Sequence, residues 1–171
     1  ALAKLLLDKD NSHMARYALG RMTCPEATKA LRDALGKTKG RVLIGVIGSV
    51  GARGDREAVG VLAQLAKDPD AAVAGAAIDA LGRVGGPEAK KTLSALLGSA
   101  KPENRLLVIN ALLLCADALV AEGKTAEALP VYQGLNKDSE PAQVQAAALR
   151  GLIACASPDA MALVVKGLSD K

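Results

Sequence analysis

The chain has 171 residues, half of them apolar and 23% charged, which supplies the length and apolar content of a sizeable core and excludes disorder for most of it. Its aromatic residues are Tyr17 and Tyr132 alone, so the apolar half is almost entirely Ala, Leu and Val, a composition that favours closely packed helices over strands. A formal charge of +4, from 22 basic and 18 acidic residues, is too mild to imply nucleic acid or an anionic membrane as partner.

Taken in chain order, the first residues already carry a fragment of a pattern. Leu2-Ala3-Lys4-Leu5-Leu6-Leu7-Asp8-Lys9-Asp10 superposes on Leu62-Ala63-Gln64-Leu65-Ala66-Lys67-Asp68-Pro69-Asp70. That places residue 1 inside a helix and makes the opening a half repeat. Next, Ala18-Leu19-Gly20-Arg21-Met22, Val46-Ile47-Gly48-Ser49-Val50 and Ala80-Leu81-Gly82-Arg83-Val84 line up at separations of 28 and 34 residues. Each is followed by a turn and a second segment, beginning Pro25-Glu26-Ala27, Arg56-Glu57-Ala58 and Pro87-Glu88-Ala89. Later copies begin Ala126-Glu127-Ala128 and Pro158-Asp159-Ala160.

Within a copy, Ala89, Leu93, Leu96 and Leu97 follow the spacing of one helical face, with Glu88, Lys91 and Ser94 outside it. Pro25, Pro87 and Pro158 stand where a helix start tolerates a missing N–H. The pattern predicts helix pairs over about 12–36, 41–67, 71–97, 103–135 and 141–168, with Pro130 kinking the second helix of the fourth. Pairs at this period stack into a right-handed α-α solenoid, one continuous domain over 1–171. Gly20, Gly48 and Gly82 recur late in the first helices, where close helix approach would offset a cost near ~1 kcal/mol against Ala. The end at Leu168-Ser169-Asp170-Lys171 resembles the opening of another copy, so a segment of a longer protein is expected.

The run Asp68-Pro69-Asp70-Ala71-Ala72-Val73, continued by Ala76-Ala77-Ile78-Asp79-Ala80-Leu81-Gly82-Arg83-Val84-Gly85-Gly86-Pro87-Glu88-Ala89, resembles a HEAT repeat, in the flavour of the bacterial phycobilisome-lyase HEAT-like type. The resemblance is strong over 41–98 and extends to 12–40 and 141–168. Ala74 and Gln145 stand where that type usually carries arginine. It implies a non-catalytic module for binding a protein partner or spacing other domains. Its alternative implication is a subunit of a bilin lyase-like or other multidomain enzyme that holds the protein substrate. Gly123-Lys124-Thr125-Ala126-Glu127-Ala128-Leu129 with Tyr132 also resembles half a tetratricopeptide repeat.

In HEAT arrays the second helices line the concave surface, and helical phase puts Lys29, Arg32, Asp33, Gln64, Lys91, Ser94, Gln133 and Lys166 on it. Binding hot spots favour aromatic and arginine side chains, so Arg32 and Tyr132 are the candidate anchors, Tyr132 being equally readable as core. Glu26, Glu57, Glu88, Glu127 and Asp159 share the second position of each second helix. An acid there offsets the positive end of its own helix dipole, worth about 0.3–1 kcal/mol. The rival reading is an acidic ladder for a basic partner.

Other constellations carry no chemistry. Gly36-Lys37-Thr38 and Gly123-Lys124-Thr125 lack the glycine that a phosphate-binding loop needs five residues earlier. Arg53-Gly54-Asp55 occupies a turn slot, which explains it without adhesion. His13, Cys24, Cys115 and Cys155 lack paired metal-ligand spacing, and Cys115 and Cys155 fall at equivalent positions of adjacent copies, too far apart to bridge. Lysines in the inter-repeat turns are interleaved with acids, and two tyrosines are too few to stack extruded bases, so neither nucleic acid nor any cofactor or metal is expected. Wholly apolar stretches such as 111–116 fall short of the roughly 18 residues of a spanning helix. Residues 1–7 lack the features of a signal peptide, and no location follows.

Overall fold

A computed structural model describes residues 2–100 and 102–156. Among them run ten α-helices and one 3-10 turn, with no strand. The first helices of successive pairs are α2 (Ser12–Arg21), α4 (Gly40–Ala52), α6 (Ala71–Val84), α8 (Pro102–Ala121) and α10 (Ala142–Ala154). The second helices are α1 (Leu2–Leu5), α3 (Pro25–Leu35), α5 (Val59–Leu65), α7 (Gly86–Ser99) and α9 (Thr125–Leu135). Each first helix packs on the next, most extensively α4 on α6 and α6 on α8, while the second helices lean on the first-helix layer more than on each other. The architecture is an all-α solenoid of two unequal layers.

Local chemistry sets the helix ends. Asp70 caps α6 by accepting the Ala72 N–H at 2.9 Å, and Asp55 accepts the Glu57 N–H at 3.2 Å to start the turn Arg56–Ala58 ahead of α5. Pro25 opens α3 at a position where no N–H is needed. Gly85 and Gly86 both have positive φ, +63° and +82°, so α6 reverses into α7 across a single linking residue. A side chain there would be strained.

The first-helix layer is tight because glycine faces alanine. A Cβ added to Gly51 would lie 2.9 Å from Ala80 Cα, and one added to Gly82 would lie 2.9 Å from Ala111 Cα. The two contacts repeat at 31 residues, as do Pro25, Arg56 and Pro87. This corrects the alignment on Gly48: the true register places Gly51 opposite Gly20 and Gly82. At Gly20 and Gly48 a Cβ would meet nothing within 4 Å, so neither glycine serves a close approach. At α2 the layer is spaced by arginine instead, with Arg16 Nη1 donating to the Gly45 carbonyl at 3.1 Å.

One large core cluster runs from Leu6 to Cys115, and two smaller ones gather around α8, α9 and α10. Residues 104–121 of α8 are long and apolar enough to cross a membrane by length and composition. The uninterrupted runs understated this because Arg105 and Asp117 are the helix's interior charges there. Val108, Ile109, Leu112, Cys115, Ala116 and Leu119 of α8 are nonetheless buried against its neighbours, as such a composition allows in the central helix of a packed array. Pro130 lies inside α9, which runs unbroken through it. Pro130 and Ala126, whose carbonyl loses its helical donor, are both exposed, so water can serve that carbonyl.

Candidate binding surfaces

The second-helix row brings together only part of the expected set. Lys29 and Asp33 are exposed on α3 and pair with each other, Nζ to Oδ2 at 2.7 Å, and the lysine holds the Asp33 carboxyl below its ordinary value. Gln64 on α5, Lys91 and Ser94 on α7 and Gln133 on α9 are exposed. Asp159 and Lys166, with the expected second helix of the fifth pair, lie outside the described residues.

Neither candidate anchor stands free of the array. Arg32 donates from Nε to Asp55 Oδ2 at 2.7 Å and also pairs with Glu57, and Asp55 is only 7% exposed. Arg32 therefore ties α3 to the start of the next second helix, and its guanidinium is committed. Tyr132 is fully buried, its hydroxyl donating to Asp117 Oδ1 at 2.5 Å. Burial first, and then the neighbouring carboxylate, push its phenol well above the ordinary range. Tyr132 is closed off from the surface, whereas the Arg32 side chain remains 24% exposed.

Of the acidic row, Glu26, Glu88 and Glu127 sit in the first turns of α3, α7 and α9. Glu57 differs, lying in the 3-10 turn before α5 and engaged by Arg32. The row is thus not uniform. Lysines stand beside it, and Lys90 Nζ donates to the Glu127 carbonyl at 2.9 Å, fastening α7 to α9.

Two grooves open in the second-helix layer. One of about 330 Å³, between α1 and α3, is lined by Lys4, Glu26, Lys29, Asp33 and Lys37. The other, of about 340 Å³, lies between α5 and α7 and is lined by Ala63, Thr92 and Ala95 together with Lys67, Glu88 and Lys91. No ion pair ties up Lys67, Glu88 or Lys91 among the described residues.

The remaining motifs are structural. In Arg53-Gly54-Asp55, Arg53 Nη1 donates to the carbonyls of Leu19 and Met22 at 3.0 and 2.7 Å, capping the end of α2, while its Nε and Nη2 bond Thr28 Oγ1. Both charged members of the tripeptide are committed inside the array. Gly36-Lys37-Thr38 ends α3, with the Thr38 hydroxyl returning to the Ala34 carbonyl at 2.8 Å. Gly123-Lys124-Thr125 is the turn between α8 and α9. Cys115 and Cys155 approach the carbonyls of Gly86 and Thr125, each at the start of the preceding second helix. Burial raises the Cys115 thiol to about 11, which keeps it protonated and unreactive.

This geometry, paired helices stacked through their first members with short capped turns, is the shape of one repeat family, and its model for HEAT repeats matches residues 41–113 and, in an overlapping placement, 59–131. The chain belongs to the HEAT-repeat family. No curated protein matches it. The matched span covers the glycine-on-alanine part of this HEAT array, α4 to α8, and reaches into α9. Ion pairs join its repeats at other positions than the arginine after Val73 would have used. Arg32 reaches Asp55, Arg56 reaches Glu122 at 2.6 Å, and Arg105 grips Glu140 with two bonds of 2.7 and 2.5 Å.

Sequence reading missed a further opening on the first-helix layer. A groove of about 520 Å³ between α8 and α10 is lined by Asn110, Leu113, Leu114, Asp117, Ala147 and Arg150, among others. At Gly151, which also lines this groove, the Tyr132 ring occupies the place where a Cβ would fall. Leu113, 31 residues after Gly82, stands where α4 and α6 carry glycine.

Proposed function

We propose that this HEAT array is a non-catalytic protein-interaction and scaffold module, and that its second-helix row receives a protein partner. The observation that carries the reading is the groove between α5 and α7. There small side chains leave room and Lys67, Glu88 and Lys91 stand without ion pairs, whereas Arg32, Arg53 and Arg105 are engaged in joining repeats. Open room beside uncommitted charges is what a specific polar contact needs.

Within the family, the Asp68 to Ala89 run supports the bacterial phycobilisome-lyase-like type. A photo-crosslinking side chain at Ser94 tests the docking face. Crosslinks to one protein are expected from Ser94, and they should disappear in Lys67→Glu with Lys91→Glu while the helical circular-dichroism spectrum stays unchanged. Equal crosslinking from Gly48, on the opposite layer, would end the reading. Co-purification of a coloured tetrapyrrole, or bilin transfer to an acceptor protein, would replace it with the bilin lyase-like subunit.

A further inference from the structure

The two layers differ in where lysine stands. In α2, α4, α6, α8 and α10 every permanently charged cation is arginine, whereas lysine is confined among the described helices to α1, α3 and α7. Arg16 and Arg105 are used inside the array, by the Gly45 carbonyl and Glu140. Arg21, Arg41, Arg83 and Arg150 are exposed. The large exposed apolar side chains follow the same division, with Met14, Tyr17, Leu106, Leu114 and Ile153 on first helices against Leu5 and Val61 on second helices. Protein interfaces are enriched in arginine, methionine and aromatic residues and depleted in lysine and acids. By that measure the first-helix layer is the more interface-like of the two faces.

On this layer Leu114 stands as a ridge, 41% exposed, shared by two grooves. The groove toward α10 has Arg150 on its far wall, and the groove toward α6 has Arg83. Arg150 has no ion-pair or hydrogen-bond partner among the described residues, while Arg83 engages only its Nε with Asp79, at 2.8 Å. Asp117 is anchored by the Tyr132 hydroxyl through Oδ1, which leaves Oδ2 to accept a peptide N–H. Asn110, two turns earlier on α8, offers a donor and an acceptor along the same groove.

We propose that the ridge and its two grooves are a second docking site, on the layer opposite the second-helix row, for an acidic, leucine-bearing peptide segment of a protein partner. Apolar side chains of the peptide pack on either side of Leu114. Its carboxylates pair with Arg150 and Arg83, for which arginine's planar fork is suited. Asn110 and Asp117 hold its backbone.

The test uses a displayed library of random 12-residue peptides selected on the whole folded chain, with selected peptides synthesised and titrated by fluorescence anisotropy. Enrichment of Asp or Glu flanking Leu or Ile is expected. Binding should weaken at least tenfold in Arg150→Glu and in Leu114→Ser, fall as salt rises, and stay within twofold in Lys91→Glu. Arg150→Gln repeats the measurement should the charge reversal fail to fold. Failure to select any peptide, selection without acidic bias, or equal affinity for the Arg150 and Leu114 variants would each overturn the proposal. Loss of binding in Lys91→Glu alone would instead move the selected peptides to the second-helix row.

Discussion

Between α6 and α8 the chain lays backbone on backbone, Gly82 against Ala111, and a side chain's worth of space is absent. One step further along the same layer, between α8 and α10, Leu113 occupies the glycine position and Tyr132 inserts its ring against Gly151. At the first boundary a missing side chain lets backbones meet, and at the second side chains stand in that place. The core records the change, since the continuous cluster ends at Cys115 and smaller ones take over around Tyr132 and Leu135. One slot of the repeat thus decides whether neighbouring first helices meet at backbone or across side chains, while grooves lie along both boundaries.

The comparison breaks most sharply at Tyr132. Tyr132→Ala removes the wedge and should cost about 3–5 kcal/mol in urea denaturation, the usual range for truncating a buried aromatic. Tyr132→Phe, which keeps the ring and loses one hydrogen bond, should cost about 1 kcal/mol. Similar losses for the two would show that the ring does not hold the boundary.

Gly82→Val attacks the close helix contact, where even a Cβ meets the Ala111 backbone at 2.9 Å. Overpacking of this kind should cost about 1–3 kcal/mol, or more because the obstacle is backbone. A neutral result in the same denaturation assay would mean that α6 and α8 can separate freely.

Arg32→Ala tests the link between repeats on the other layer, because it leaves the buried Asp55 without its cation. A loss of about 1–3 kcal/mol is expected. Lys29→Ala, which breaks only the exposed pair with Asp33 one turn away, should cost about 0.5 kcal/mol or less. Equal effects would return Arg32 to the solvent-facing role that its helical phase alone predicts.

The Arg105–Glu140 grip at the second boundary is read by pH. Arg105 holds Glu140 below its ordinary value near 4.5, so its contribution is complete above that value and is lost as pH falls through the lowered native value. Glu140→Gln, whose amide does not titrate, should show a flatter decline of stability below pH 4.5 than the parent, measured by urea midpoints across the acid range. Parallel curves would sever Glu140 from acid unfolding.

The smallest effect has the opposite sign. Gly48, mid-helix and with open space where a Cβ would go, should gain about 0.5–1 kcal/mol on replacement by Ala. Destabilisation would restore it to the packing role suggested by its place in the Val46-Ile47-Gly48 motif.

Composition and periodicity by themselves determined the helical class, the pairing of helices and the turn chemistry. An Ala- and Leu-rich chain with an Asp cap at residue 70, proline at residue 25 and glycine at residues 85 and 86 has few other ways to satisfy its backbone. The side-chain roles were less legible. Helical phase correctly exposes Lys29, Gln64, Lys91 and Ser94, yet the same phase cannot tell that Arg32 reaches across to Asp55, since that contact depends on how two non-adjacent elements approach. The Gly48 alignment failed for a related reason. Short Ala-Leu-Gly motifs match at several offsets, and only the helix-to-helix distance identifies Gly51 as the position with no room. Tyr132 was open to either reading in the sequence, because an aromatic at a helix face is core or anchor according to what packs over it. Tertiary structure decided it by placing Gly151 against the ring and Asp117 at the hydroxyl. Sequence sets what each residue prefers within one turn of its own helix, and the packing of separate helices decides which of those side chains meet each other and which face a partner.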